Sequence, residues 1–329
     1  MIQLVGVVVI GRNEGLRLQQ CLQSILQQTT NIIYVDSGST DGSSALADSL
    51  DVPVIQLDMN IPFTAARARN EGFKYITEKD CDIKYVQFID GDCELCEKWL
   101  SISTQYLEEN INCAVVAGRL KERFPGMSIY NQLCDLEWDT PVGEINFCGG
   151  IFLTRVKSFT ETNGFNQTLI AGEEPELCYR LRQDGWKLHR LATMMALHDA
   201  EMTRFSQWWN RAKRSGYAYA NGCFLHGFTN KEKFRLKECI RIWIWALFIP
   251  IIIVCTMLSG TKWWLLFSSL YLLQFVKNYS LSIHQTKNIK LAVLLTFSRV
   301  VDKFPQFIGQ VSFLFKLLNG HASTLIEYK

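Results

Sequence analysis

This sequence has little net charge and no second cysteine pair at zinc-finger spacing. Its 329 residues carry a formal net charge of +2. Near-neutral charge argues against nucleic acid as a partner, because nucleic-acid-binding domains are usually strongly basic. A strand-like run already occupies residues 4–10, so we expect no secretory signal.

The eleven cysteines do not suggest a disulfide or zinc framework. Cys93 and Cys96 form one Cys-x-x-Cys, but no second pair follows at zinc-finger spacing. The other cysteines lie mostly in apolar runs, where a free thiol packs as a small hydrophobic group. We therefore expect a reduced protein that faces the cytosol.

What the sequence does contain is a regular alternation of strand-like and helix-like segments over its first two thirds. Apolar β-branched runs predict strands, and apolar residues at helical spacing predict helices between them. The predicted strands are residues 4–10, 31–35, 52–57, 85–89, 114–120, 151–154, 186–191 and 194–198. The alternation predicts an α/β domain over residues 1–225, with a mostly parallel central sheet flanked by helices.

Four carboxylates follow the predicted ends of strands: Glu14, Asp36, Asp90 and Asp92. Ligands of parallel α/β sheets bind at the carboxyl ends of the strands, so we expect these side chains to share one edge. The glycine between Asp90 and Asp92 lets both carboxylates converge. Because hard divalent cations prefer carboxylate and phosphate oxygens, this pair predicts a metal–diphosphate site. The alternative is a polar turn that closes a strand.

The last third, residues 226–329, predicts a helical region associated with a membrane. Residues 242–258 and 263–276 are uncharged, and the short link between them suits a hairpin at about 240–280. Basic residues within 231–241 and 277–290 predict that both ends lie in the cytoplasm. A buried hairpin of a soluble protein is the alternative. Residues 289–318 fit an amphipathic or re-entrant segment, or a third span.

Five motifs occur in the order typical of one enzyme family. Over roughly residues 4–200, they resemble the family 2 inverting glycosyltransferases of the GT-A fold. The motifs are Ile10-Gly11-Arg12-Asn13-Glu14, Val35-Asp36-Ser37-Gly38-Ser39-Thr40-Asp41-Gly42, Ala68-Arg69-Asn70, Asp90-Gly91-Asp92 and Gly172-Glu173-Glu174. Each motif alone is common in proteins, so the resemblance depends on their order.

The resemblance implies a nucleotide-sugar donor held by residues of the first three motifs. Arg12, Glu14 and Asp36 match positions that hold the nucleoside. Arg69 matches an arginine that contacts the base or the diphosphate. The alternatives are turn and cap chemistry for Asp36 and a solvated helix face for Arg69.

The resemblance also implies a divalent metal, Mg²⁺ or Mn²⁺, beside the donor diphosphate. Asp92 matches the metal ligand, and Asp90 would face the ribose or the metal. His198 resembles a late histidine that adds a ligand to this metal in related enzymes. A packed structural histidine is the alternative.

Inversion requires a base that takes the proton of the acceptor hydroxyl. The family motif usually ends in Glu-Asp with the aspartate as base, and here Glu174 stands at that position. Glutamate is one methylene longer than aspartate, so Glu173 and Glu176 remain reserves. The alternative is an acidic first turn that suits the positive start of a helix.

A basic and aromatic segment follows the predicted α/β domain. Trp208, Trp209, Arg211 and Arg214 are candidates for binding a sugar acceptor or lipid phosphates. The segment does not match the Gln-x-x-Arg-Trp motif of processive synthases. An amphipathic helix that packs beside the membrane hairpin is the alternative.

These predictions favour a metal-dependent inverting glycosyltransferase of cell-surface or exopolysaccharide synthesis. It would move a sugar from a nucleotide sugar to a lipid-linked or growing glycan at the inner (cytoplasmic) membrane. Its catalytic domain would face the cytosol. The alternatives are a polyprenyl-phosphate glycosyltransferase, a processive polysaccharide synthase and a non-catalytic membrane scaffold.

Overall fold

A computed structural model describes residues 3–228 and 232–320 of the chain. The chain divides into two compact units. The α/β unit comprises Met1–Pro125 and Glu137–Glu201, and the helical unit comprises Gly126–Leu136 and Met202–Lys329. This division differs from the predicted boundary at residue 225. The helix Phe205–His226 belongs to the helical unit because its Gly216 lies directly against the backbone of Gln306.

The α/β unit is built around one mixed sheet, which has nine strands within the described residues. The strands are β1 (Val5–Gly11), β2 (Ile32–Asp36), β3 (Val54–Gln56), β4 (Tyr85–Asp90), β5 (Cys93–Leu95), β6 (Cys113–Glu122), β7 (Gly143–Glu144), β8 (Phe152–Arg155) and β9 (Lys187–His198). Their order is β3-β2-β1-β4-β8-β6-β9-β5, and β7 pairs with β9.

The predicted parallel arrangement holds for one half of the sheet. Strands β3, β2, β1 and β4 are parallel, whereas β8 runs antiparallel to both β4 and β6. Strand β9 is parallel to β6 and antiparallel to β5 and β7. A strand buried on both faces is apolar in either direction, so the sequence pattern could not reveal the orientation of β8.

The sheet is covered on both faces, as β1 illustrates. Val5, Val7 and Val9 belong to one apolar cluster, and Val8 and Ile10 belong to another. Successive side chains of a strand point to opposite faces, so both faces of β1 are buried. The covering helices of this unit are α1 (Leu16–Leu26), α2 (Ser43–Ser49), α3 (Ala65–Lys79), α4 (Trp99–Glu109), α6 (Val156–Glu161) and α7 (Glu173–Gln183). A polar side chain carried by β1 can therefore reach a ligand only at the end of the strand.

The helical unit contains the segments that were predicted to contact a membrane. Its helices are α5 (Ile129–Trp138), which ends in the α/β unit, α8 (Phe205–His226), α9 (Leu236–Trp243), α10 (Ile249–Leu258), α11 (Trp263–Thr286), α12 (Ile289–Val301) and α13 (Lys303–Leu318). A π-helical turn, Ile244–Phe248, joins α9 to α10. The sequence pattern missed α5, which lies between the predicted strands 114–120 and 151–154.

The predicted hairpin forms, since the Tyr271 hydroxyl of α11 donates to the carbonyl oxygen of Trp245. Within the described residues, one helical stretch, Leu236–Leu258, is long and apolar enough to cross a membrane. The second arm, α11, does not meet that criterion, because its last turns are polar. Lys231, one of the predicted flanking cations, lies outside the described residues.

Candidate active site

The carboxyl ends of β1, β2 and β4 form one edge of the sheet. Gly11 of β1 lies beside Asp36 of β2, and Ile10 lies beside Asp90 of β4. Glu14 follows in the turn after β1, and its side chain lies next to Gly91. The predicted convergence of Glu14, Asp36 and Asp90 at one edge is therefore present in the structure.

Hydrogen bonds hold the turn after β2 together and join it to the turn after β1. The buried Asp36 carboxylate accepts from the Tyr34 hydroxyl at 3.0 Å and from the Ser39 backbone N–H at 3.0 Å. Burial, and then the Asp36 charge, raise the pKa of the Tyr34 hydroxyl, which therefore stays a donor. Asn13 accepts from the Thr40 backbone N–H at 2.7 Å. These bonds fix the wall at which the nucleoside was predicted to bind.

Arg12 and Glu14, the other predicted nucleoside residues, have local partners. The Arg12 guanidinium lies 4.6 Å from the centre of the Phe63 ring. Glu14 pairs with Arg17 at 3.0 Å, and Arg17 also pairs with Glu201 at 2.6 Å. The nucleoside-binding role of both residues stays a prediction.

Arg69 of α3 is the centre of a buried charge network. One of its terminal nitrogens lies 2.9 Å from Asp90 Oδ1, and the other lies 2.8 Å from Glu173 Oε1. The Arg69 side chain is 3% exposed, and the two carboxylates raise its pKa against the opposing effect of burial. This geometry suits a residue that positions Asp90 and Glu173. The predicted direct contact with the base or diphosphate stays a prediction.

Gly150 lies directly against this network. A Cβ atom at Gly150 would lie 2.9 Å from an Arg69 terminal nitrogen, so any other residue there would displace the guanidinium from its two carboxylates. The preceding Gly149 has φ of +82°, in the left-handed region that favours glycine. The Gly149-Gly150 pair thus lets the loop before β8 pass directly over the Arg69 guanidinium.

Asp92 and His198 form the second group of predicted site residues. His198 Nε2, at the end of β9, lies 3.4 Å from Asp92 Oδ1. The Cys93 sulfur adds a third potential ligand atom, and these atoms all lie within 4.8 Å of one another. Burial raises the pKa of the Cys93 thiol well above its ordinary value, so it remains a neutral thiol and a poor ligand for a hard cation.

The donor set therefore fits Mg²⁺ or Mn²⁺ bound by few protein atoms. Magnesium sites commonly use one or two carboxylates, with water and substrate phosphates completing the shell. Asp92 supplies a carboxylate, a ligand type that suits magnesium and manganese, and His198 adds an imidazole. The pair leaves the remaining ligand positions to water and a diphosphate.

Glu122 is a candidate that the sequence reasoning missed. Its fully buried carboxylate, at the end of β6, lies 4.0 Å from His198 Nδ1. It also accepts from the backbone N–H groups of Phe124 at 3.0 Å and Ala200 at 3.1 Å. Its place at a strand end, like that of Asp36 and Asp90, was the signal available in the sequence. The 4.0 Å separation is longer than a hydrogen bond, and His198 Nδ1 has no hydrogen-bond partner in the described part of the chain, so Glu122 adds a neighbouring negative charge to the imidazole.

Glu174, the predicted base, occupies the first turn of α7. One of its carboxylate oxygens accepts from the Cys148 backbone N–H at 2.6 Å and from the Cys178 thiol at 3.0 Å. Burial raises the pKa of Glu174, and the hydrogen bonds oppose that shift. A raised pKa makes a carboxylate a better proton acceptor near neutral pH. In this conformation, however, the oxygen is already occupied by the loop before β8.

The two reserve carboxylates of α7 have other partners. Glu173 pairs with Arg69, as described above. Glu176 is 2% exposed and pairs with Arg180, one helical turn away, at 2.8 Å. The acidic first turn of α7 thus supplies one network carboxylate, one candidate base and one structural ion pair.

The predicted acceptor residues belong to the helical unit, on α8. Trp208 is buried and its ring lies 5.5 Å from that of Phe205, while Trp209 is half-buried. Arg211 and Arg214 are half-exposed. The burial of Trp208 agrees with the alternative of an amphipathic, packed helix. A role of the other three in acceptor binding stays a prediction.

Comparison with known families identifies the catalytic fold. Residues 6–162 match the family described as Glycosyl transferase family 2. The chain carries a family 2 glycosyltransferase domain. This match confirms the family predicted from the five motifs, and the enzyme class with it.

Individual relatives of this family 2 glycosyltransferase are distant. Glycosyltransferase AglE of Haloferax volcanii is 22% identical over 259 residues, which cover 75% of this chain and 81% of AglE. Glycosyltransferase GlyG of Streptococcus pneumoniae serotype 4 is 32% identical over 115 residues, which cover 33% of this chain and 36% of GlyG.

A solved structure confirms the GT-A fold. The mannosyltransferase PcManGT from Pyrobaculum calidifontis, in complex with GDP-Man and Mn²⁺, superposes with a TM-score of 0.62. The match covers 95% of this chain and 87% of that one at 14% sequence identity. Likeness at this identity establishes the fold of the family 2 enzyme, with its mixed central sheet flanked by helices.

Proposed function

We propose that this chain is a metal-dependent inverting glycosyltransferase that moves a sugar from a nucleotide donor to a lipid-linked or growing glycan. The observation that carries the proposal is the 3.4 Å approach of His198 to Asp92. Asp92 lies within residues 6–162, which match family 2, and both side chains stand at strand ends, where ligands of such sheets bind. The nucleotide sugar and Mn²⁺ in the structure of PcManGT support the same donor chemistry here.

Each part of the site has a defined task in this proposal. Asp92 and His198 hold a divalent metal, which when bound would offset the negative charge growing on the departing diphosphate. Arg69 holds Asp90 in place to bind the ribose. Glu14 and Asp36 bind the nucleoside at the edge shared by β1 and β2.

The apolar stretch Leu236–Leu258 supports a membrane-held acceptor. Exposed apolar side chains on the other helices of this unit, such as Phe297 and Phe315, suit a lipid environment. We propose that the enzyme acts at the cytoplasmic membrane with its catalytic unit in the cytosol, in cell-surface glycan synthesis.

Asp92→Asn tests the proposal, because it keeps the shape of the side chain and removes its charge. We expect sugar transfer to fall about 100- to 1,000-fold, the range seen when one group that stabilises transition-state charge is lost. Binding of Mn²⁺ should weaken in the same variant. Asp48→Asn, an exposed carboxylate on α2, is the matched control. Full activity of Asp92→Asn would overturn the proposal.

One observation favours a second candidate, transfer to a polyprenyl phosphate. The Glu174 oxygen is occupied by Cys148 and Cys178, and an ionised phosphate acceptor requires no base to deprotonate it. Glu174→Gln distinguishes the two functions. Loss of transfer to a glycan hydroxyl would support Glu174 as the base, whereas full transfer to a polyprenyl phosphate would support the second candidate.

A further inference from the structure

The helical unit contains a cavity of about 400 Å³ between its C-terminal helices. Three cations line it: Arg241 of α9, Arg299 of α12 and Lys303 of α13. The lining includes no aspartate or glutamate. A cavity of this volume is large enough for a small ligand, and its charge selects for an anion.

Two of these cations are positioned by neighbouring side chains. Arg299 donates to the Ser282 hydroxyl at 3.0 Å and to Gln285 Oε1 at 2.9 Å. Lys303 pairs with Asp302 at 2.7 Å, so a carboxylate beside the lining offsets part of the charge. The lining itself holds three cations and no carboxylate.

A polar row on α11 forms the opposite wall. Gln274, Asn278 and Gln285 line the cavity, and their spacing of four and seven residues places them on one face of the helix. The same helix exposes apolar side chains such as Leu272 and Leu273. Amide groups in an otherwise apolar helix require polar partners. The Gln274 and Asn278 amides each carry an NH₂ group that can donate to an anion in the cavity.

The cavity also adjoins the segment suited to a membrane. Arg241 is the last charged residue before the uncharged run 242–258, within the stretch Leu236–Leu258. Leu281 adds an apolar surface to the lining. Basic pockets between membrane helices on the cytoplasmic side bind the phosphate headgroups of lipids. Guanidinium groups match phosphate geometry because they donate two parallel hydrogen bonds.

We propose that this cavity binds the phosphate or diphosphate headgroup of the membrane-held acceptor lipid. The identity of the lipid as the acceptor rests on the proposed function. The affinity for a lipid phosphate follows from the cavity itself, and the two parts can be tested separately.

Binding to the detergent-purified full chain tests the site without catalysis. Farnesyl phosphate is the probe, and farnesol, inorganic phosphate and phosphatidylglycerol vesicles are the comparison ligands. We expect farnesyl phosphate to bind at least tenfold more tightly than each comparison ligand. Equal binding of inorganic phosphate would indicate a free-phosphate site. Equal competition by phosphatidylglycerol would indicate a general lipid site, and either result would overturn the proposal.

Variants then test the named cations. Arg241→Gln and Lys303→Gln should each raise the Kd for farnesyl phosphate about fivefold, as expected for one cation beside a lipid phosphate. Neither should change the Kd for farnesol, and Arg241→Lys should recover only part of the affinity, because an ammonium group keeps the charge but lacks the two parallel donors of a guanidinium. Lys290→Gln removes an exposed cation of α12 and serves as the charge control. Unchanged binding in both cavity variants, with unchanged thermal midpoints, would overturn the site.

Transfer kinetics separate this proposal from the proposed function. Arg241→Gln should raise the KM for the lipid-linked acceptor and leave the KM for the nucleotide sugar unchanged. An unchanged acceptor KM in an active enzyme would refute the site alone. If no lipid acceptor receives sugar while the binding differences persist, the proposed function fails and the phosphate site stands.

Discussion

The two units of the chain hold their polar groups in opposite ways. In the α/β unit, the buried Arg69 charge is fixed by two carboxylates, Asp90 and Glu173. In the helical unit, three cations line one cavity, and its lining contains no carboxylate. The helices of this unit also pack closely at glycines. A paired network preorganises groups for chemistry, whereas a cluster of like charges is stabilised by an anionic ligand.

Removal of Arg69 should have the largest effect on stability, because it leaves two carboxylates without their cation. We expect Arg69→Met to destabilise the α/β unit by about 3–5 kcal/mol, as for other buried ion pairs that lose one partner. Hydrogen exchange of β4 and α7 in the full chain would report this loss locally.

Arg67→Met is the control on the same helix, because the Arg67 guanidinium donates to exposed loop carbonyls of Asp58 and Ile61. We expect it to cost no more than about 1 kcal/mol. Equal effects of the two substitutions would show that the Arg69 network is no more important than a surface contact, and would remove the contrast between the units.

His198→Gln should weaken metal binding without comparable loss of stability. The imidazole approaches Asp92 at 3.4 Å and Glu122 at 4.0 Å. Loss of a group in or around a metal site typically costs 10- to 100-fold in affinity. Titration with Mn²⁺ measures the effect, with His189→Gln, a half-buried histidine on the same strand, as control. An unchanged Mn²⁺ affinity would leave His198 as a packed structural histidine.

Much of the difference between the two units depends on tertiary contacts that the sequence does not reveal. The strands β1, β2 and β4 follow from their apolar runs, and their parallel arrangement follows from the helices between them. The edge that carries Glu14, Asp36 and Asp90 follows from that arrangement. Strand β5 has only three residues, which is too short for a periodic signal. Residues 186–191 and 194–198, predicted as two strands, form the single β9, which shifts register against β6 near Arg119.

The side-chain contacts of the candidate site likewise could not be predicted from the sequence. The motifs identify Arg69 and Glu173 separately, but not the ion pair between residues 104 positions apart. The Cys148 loop over Glu174 likewise results from tertiary packing. Polar residues at strand ends can be predicted because topology places them, whereas their pairing depends on side-chain geometry.

The helical unit should be most sensitive to substitutions at its closely packed glycines. A Cβ at Gly309 would lie 2.0 Å from the backbone oxygen of Lys213 on α8. Gly309→Ala must therefore separate α8 from α13, and we expect a loss of about 1–3 kcal/mol, typical of overpacking. Hydrogen exchange of both helices measures it. Gly126→Ala, where a Cβ would meet no atom within 4 Å, is the control in the same unit. Equal protection in both variants would contradict the close packing.

Glu174→Gln should have the smallest effect on stability, and its sign depends on pH. Burial raises the pKa of Glu174 in the folded chain, so the folded state holds its proton more tightly than the unfolded state. The stability that Glu174 contributes is fully present below the pKa of glutamate in the unfolded chain, about 4.3. It is lost as pH rises through the folded pKa.

Glutamine does not titrate, and its amide oxygen can still accept from the Cys148 N–H. The stability of Glu174→Gln relative to the native chain should therefore increase between about pH 4.3 and neutrality. Thermal midpoints measured across this range provide the test, with Glu109→Gln, an exposed glutamate at the end of α4, as control. A relative stability that falls with rising pH would mean that hydrogen bonds to the ionised carboxylate outweigh its burial. Glu174 would then be held as a structural anion in the α/β unit, like the partners of Arg69, and would be a weaker candidate for the base.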